Sequence, residues 1–208
     1  ARMDAMQKFR GELRRFFESM WPAEEKPIVF GEGQWHSPEI MLIGEAPGEQ
    51  ETLQGRPFVG KAGKNLDGFL SVVGLLREEI YISNVVKVRP VKISVKGTVS
   101  NRPPNREELE LFTPWLKREI LLVQPKTIVT LGNVALKALL GQEQTIGQCH
   151  GVEKATKISI PGEKGAWSCR MYPLYHPASI IYNRALVATY QEDLLRLREL
   201  LVERGVVK

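Results

Sequence analysis

TIVTLGNVALKALL, residues 127–140, is the stretch on which the fold turns. Its first five residues form an apolar, β-branched run closed by Gly132, the signature of a strand buried on both faces. From Asn133 to Leu140 the apolar residues recur at helical spacing, so a strand feeds directly into a helix. The same reading extends in both directions. Apolar runs at Ile28–Phe30, Ile40–Ile43, Ile80–Val86 and Met171–Tyr175 predict further strands. Helical periodicity marks residues 63–75, 105–122 and 186–204, the last carrying Leu186, Tyr190, Leu194, Leu197 and Leu201 as one stripe. Alternation of this kind predicts an α/β fold, a three-layer α/β/α sandwich around a central, mainly parallel β-sheet. Ligands of such sheets bind at the carboxyl ends of the strands. An amphipathic helix over residues 3–20, ending before Pro22, is expected as an N-terminal extension over 1–25 of one domain spanning 1–208.

Composition narrows the class. With 43% hydrophobic and 25% charged residues in 208, the chain reads as an ordinary globular protein. No apolar stretch approaches the roughly 20 residues a bilayer requires, and the N-terminal residues lack a signal-peptide pattern, so a cytoplasmic, membrane-free, monomeric protein is expected. Two cysteines, Cys149 and Cys169, are too few for a disulfide framework or a four-thiolate metal site. The net charge of +5 favours polyanionic partners. Between Lys87 and Arg106 stand Lys87, Arg89, Lys92, Lys96, Arg102 and Arg106 with no acid among them. Together with Pro90, Gly97, Pro103 and Pro104, they predict a long basic surface loop suited to a phosphate backbone, or equally a solvated one.

Four segments fall at predicted strand ends: GEAPG at 44–48, continuing to GRPFVG at 55–60; Ser83-Asn84; Leu131-Gly132-Asn133; and YHPAS at 175–179. The second part of the first segment nearly spells a phosphate-binding loop, with Gly60 and Lys61 in place. Ala62 offers no hydroxyl for magnesium, however, and Pro57 removes a backbone donor, so a nucleotide hydrolase is disfavoured.

At these residues the chain resembles the uracil-DNA glycosylase superfamily, most closely its family 4, which usually carries an iron–sulfur cluster. The resemblance runs from about Val29 to Leu200 and joins the GEAPG motif with Glu51, the GRPFVG loop, Asn84-Val85-Val86-Lys87, Thr130-Leu131-Gly132 and His176-Pro177-Ala178. It implies a monofunctional, metal-independent hydrolase that flips a deaminated base, uracil first among candidates, out of DNA and leaves an abasic site. The base would meet Gly44 and Ala46, stack on Phe58 and be read by Asn84, whose amide accepts from N3–H and donates to O4. His176 would donate to O2 as charge moves onto the departing base. Related families place an Asp or Asn where this chain has Ala46, so the water or charge partner is expected to be Glu51, or failing that Glu45. Lys87, Arg89, Ser179 and Ile180 would contact DNA, Ile180 as an apolar wedge. Val88 and Phe112 occupy two of the family's cluster-cysteine positions, and the N-terminal pair near Met20–Pro27 is missing, so no cluster or other cofactor is expected. A nucleic-acid-binding module with altered chemistry is the alternative, distinguished by assaying excision.

Overall fold

A computed structural model describes residues 4–21 and 26–208. Met3 and Pro22, at the ends of the expected first helix, lie outside the described residues. The helix α1 spans Ala5–Met20; Asp4 caps it by accepting from the Gln7 amide at 2.7 Å, and Gln7 returns a bond to the Asp4 amide. Its buried face, Met6, Phe9, Leu13 and Phe17, packs into the main core beside Phe112 and Trp115, so α1 is a wall of the fold.

The elements follow in the order β1 (Glu32–Gly33), β2 (Ile40–Gly44), α2 (Glu49–Gln54), α3 (Gly60–Val73), a 3₁₀ turn (Arg77–Glu79), β3 (Tyr81–Asn84), β4 (Val91–Ile93), β5 (Val99–Asn101), α4 (Arg106–Val123), β6 (Thr127–Leu131), α5 (Gly132–Leu140), α6 (Ile146–Cys149), β7 (Lys154–Ser159), β8 (Ala166–Leu174), α7 (Pro177–Ile180) and α8 (Arg184–Glu203). Six strands form one sheet in the order β1-β3-β2-β6-β8-β7. The four central strands are parallel and the two edge strands antiparallel.

Side-chain alternation divides the core. Met41, Ile43, Tyr81, Ile128 and Met171 face α1, α4, α5 and α6, whereas Ile40, Leu42, Ile82, Val129 and Tyr172 face α3 and α8. Both faces of the central strands are therefore covered, which is why their sequences are continuously apolar. The expected three-layer sandwich is the architecture observed.

Three expected segments differ. Residues 28–30 form no strand; the Val29 amide donates to Lys87 O at 2.7 Å and the edge pairing falls to β1 instead. The run 80–86 stops pairing at Asn84, where the Val85 and Val86 amides turn to donate to Gly44 O and Glu45 O. The expected loop 87–106 contains a two-stranded hairpin, β4 with β5, whose residues 92–99 are exposed.

Candidate active site

Gly44, Asn84, Leu131 and Leu174 end the four parallel strands side by side, in register Gly44↔Asn84 and Leu131↔Leu174. The motifs at 44–48, 84, 131–133 and 175–179 therefore converge on the carboxyl edge of the sheet. At Gly44 a Cβ would stand 2.6 Å from Asn84 Oδ1 and 2.9 Å from Phe58 Cζ, so only glycine lets these two side chains meet over the strand. Asn84 is 6% exposed, yet its side-chain amide has no hydrogen-bond partner among the described residues. The residue is buried as a whole, but its amide atoms keep access to solvent at the sheet edge and make no bond within the protein. Ala46 is half-buried nearby and packs against the core.

Phe58 lies at φ +53°, a left-handed conformation that costs a non-glycine residue on the order of 1–3 kcal/mol. From the sequence it is expected to be a stacking platform and not a core aromatic; the structure places the ring in the core and at the edge of a cavity. The ring is 6% exposed and belongs to the core under α3 and α8, but it also lines a small cavity together with His176, Asn65, Leu66 and Tyr190. Two clamps hold its backbone. Arg77 donates to Phe58 O at 2.9 Å and to Pro57 O at 2.7 Å. From the other side, Glu51 accepts from the Val59 amide at 3.0 Å and from the Gly48 amide at 2.9 Å.

That arrangement gives Glu51 a structural task. Each of its oxygens accepts one backbone donor and the side chain is buried, so it ties the 44–48 motif to the 55–60 loop. Glu45 is the free carboxylate. Its side chain makes no hydrogen bond or ion pair among the described residues, and it lines, with His176, Tyr175, Gly132 and Ser179, a cleft of about 400 Å³. Burial raises its pKa above the ordinary glutamate value.

His176 caps the short helix α7. Its Nδ1 accepts from the Ala178 amide at 3.1 Å, which places the ring proton on Nε2 and makes that nitrogen a donor. Burial lowers the imidazole pKa, so the neutral form dominates near neutrality. Gly132, at φ +82°, lies beneath the ring, where a Cβ would stand 3.1 Å from His176 Cβ. Ser179 is exposed and donates to His176 O at 2.8 Å.

Two expected DNA contacts are corrected. Lys87 is fully buried and ion-paired with Glu119 at 2.7 Å, so it cannot reach a phosphate. Ile180 is 3% exposed and packs in the α3/α8 core; its neighbours Ile181 and Tyr182, at 58% and 95%, are the apolar side chains presented to solvent. Arg89 is half-buried and donates to Asn101 Oδ1 at 2.7 Å at the base of the hairpin, while Lys92 and Lys96 are exposed. Sequence reasoning missed Arg77 and Glu119 altogether. Both act on partners distant in the chain and lie in no motif.

Among the described residues, no group of His, Cys, Asp and Glu is arranged to hold a metal ion. Val88 and Phe112 are buried in an apolar seam with Phe17, whose ring centroid lies 6.4 Å from that of Phe112. The thiols of Cys149 and Cys169 sit elsewhere, on α6 and β8.

Residues 30–200 match the family model described as the uracil DNA glycosylase superfamily. A type-4 uracil-DNA glycosylase of Sulfurisphaera tokodaii is 34% identical over 207 residues, covering 96% of this chain and 86% of that protein. One from Pyrobaculum aerophilum is 37% identical over 173 residues, covering 81% of each. The structure of SMUG2 from Pedobacter heparinus overlaps at a TM-score of 0.46 and 14% identity, over 81% of this chain and 76% of that one. With its motifs gathered at one sheet edge and its similarity running nearly end to end, the chain belongs to the uracil DNA glycosylase superfamily.

Proposed function

We propose that the protein is a monofunctional DNA glycosylase that hydrolyses the N-glycosidic bond of uracil in DNA and leaves an abasic site. The observation that carries this reading is the side-chain amide of Asn84, on a residue 6% exposed, open at the sheet edge and without a hydrogen-bond partner among the described residues, beside Phe58 and Gly44. The enzyme cannot reach a base within the stacked duplex, so the nucleotide is flipped outward at a cost of a few kcal/mol, offset by contacts to the base. Phe58 supplies a stacking face. Asn84 Oδ1 accepts from N3–H and Nδ2 donates to O4, a pattern that cytosine reverses. As the C1′–N1 bond lengthens, His176 Nε2–H donates to O2, where negative charge collects; a neutral donor suffices because that charge appears in the transition state. Glu45 is the group best placed to balance the cationic sugar and to take a proton from the attacking water.

The exposed cations Lys92 and Lys96, with Arg89 at the hairpin base, form the proposed DNA surface, and Ile181 with Tyr182 takes over the apolar contact expected of Ile180. We further infer that residues 1–208 act as one domain, since both core faces share one sheet. By the resemblance, Val88 and Phe112 stand where the family has two cluster thiolates, and both are buried among apolar side chains that cannot ligate iron; chelators are expected to leave folding and activity intact. Incubation with labelled oligonucleotides bearing single uracil, hypoxanthine or xanthine bases, followed by alkaline cleavage, tests the function. Absence of cleavage at uracil would sink it.

A further inference from the structure

Lys87 and Glu119 form a buried charge pair that the chemistry above does not use. The Lys87 ammonium donates to Glu119 Oε1 at 2.7 Å, to Ser83 Oγ at 2.8 Å and to the backbone carbonyl of Asn84. Glu119, on α4, also accepts from Tyr81 OH at 2.7 Å and lies 2.9 and 3.0 Å from Ser83 Oγ. The side chains of Lys87, Glu119, Ser83 and Tyr81 belong to residues at most 1% exposed. Stability alone does not account for the network, since apolar residues of similar volume often serve a core as well or better than a buried ion pair.

Its position does. β3 ends at Asn84, and the next two amides turn away to Gly44 O and Glu45 O. The Asn84 carbonyl is thus a buried strand-end acceptor, and asparagine side chains commonly bend back to serve the backbone around such ends. Here the ammonium, reaching back from three residues along the chain, satisfies that end from below. The Asn84 amide stays unpartnered above it.

We propose that Lys87, neutralised by Glu119, is a positioning residue for Asn84: it fixes the strand end so that the side-chain amide is held free for the base. This rests on Asn84 as the base reader, and the test separates the two.

The experiment is a double-mutant cycle with full-length protein, reading single-turnover uracil excision and the uracil-to-cytosine rate ratio. The paired change Lys87→Met with Glu119→Gln removes the network without stranding a buried charge. We expect it to lower uracil excision several-fold, by no more than Asn84→Ala does, and to reduce the ratio in the wild-type background. In the Asn84→Ala background it should cost less than twofold, because the amide it positions is gone. Equal losses in both backgrounds mean general destabilisation and overturn the proposal; so does an unchanged ratio. Tyr81→Phe, which removes a Glu119 contact remote from Asn84, should lower the Tm while preserving the ratio. If the paired variant does not fold, Ser83→Ala replaces it in the same cycle: a loss seen only where Asn84 is intact supports the proposal, and no loss or equal losses overturn it. Wild-type excision by Asn84→Ala alone would instead refute the base-reader reading.

Discussion

Replacing Asn84 with alanine removes the pair of hydrogen bonds to the N3 and O4 edge of uracil. Two such bonds in a closed site are together worth about 1–3 kcal/mol of discrimination, a loss of about 5- to 150-fold in kcat/KM. The structure also fixes what the change should not do. The amide has no protein partner to lose, and the strand end is held through the backbone carbonyl, which alanine retains. Tm should therefore move by only a few degrees and affinity for undamaged DNA should hold. Asn84→Asp is the sharper variant, because a carboxylate accepts from uracil N3–H but cannot donate to O4, whereas it accepts from the cytosine amino group. Selectivity should tilt toward cytosine even where the absolute rate is low. The assay is single-turnover excision on matched uracil and cytosine oligonucleotides, with thermal melts as the folding control. A folded Asn84→Ala protein that excises uracil at the wild-type rate would refute the reasoning.

Three further expectations concern Glu45, Glu51 and the exposed hairpin lysines. Burial raises the Glu45 pKa, and a base works in its ionised form, so activity should rise with pH through a value above the ordinary glutamate 4.5; Glu45→Gln should abolish that limb and lower kcat, as a pH–rate series will show. Glu51→Ala orphans two backbone donors, each worth about 1–3 kcal/mol when left unsatisfied; it should lower the Tm by melting the 55–60 loop, and an unchanged melt with lost activity would argue for a direct chemical role. Charge reversal at Lys92 and Lys96 should flatten the log–log salt dependence of duplex binding by about 0.9 per lost contact, whereas an unchanged slope would move the DNA surface elsewhere.

The fold was legible where burial is two-sided or strongly striped. Residues 40–44 and 127–131 admit no polar face, and α8 displays its stripe at Tyr190, Leu194, Leu197 and Leu201. β7 was not legible: its six residues are mostly exposed, and it is held to β8 by backbone ladder bonds that leave no hydrophobic pattern. The site divided in a similar way. Gly44, Asn84 and His176 stand in short motifs at strand ends, and local order brought them together. The structural tasks of Glu51 and Lys87 were not legible because their character depends on distant groups. A carboxylate beside a catalytic motif and a lysine among other cations both look available until Val59 and Glu119 close on them.

Hydrolysis leaves untouched the N3–H and O4 groups that the unpartnered Asn84 amide would recognise, so the liberated base fits that edge as well as the nucleotide did. Free uracil should accordingly compete with substrate and raise the melting temperature of the empty enzyme, and its escape from beneath Phe58 becomes a step that multiple turnover must wait for. A grip that tells uracil from cytosine does not, at that edge, tell substrate from product.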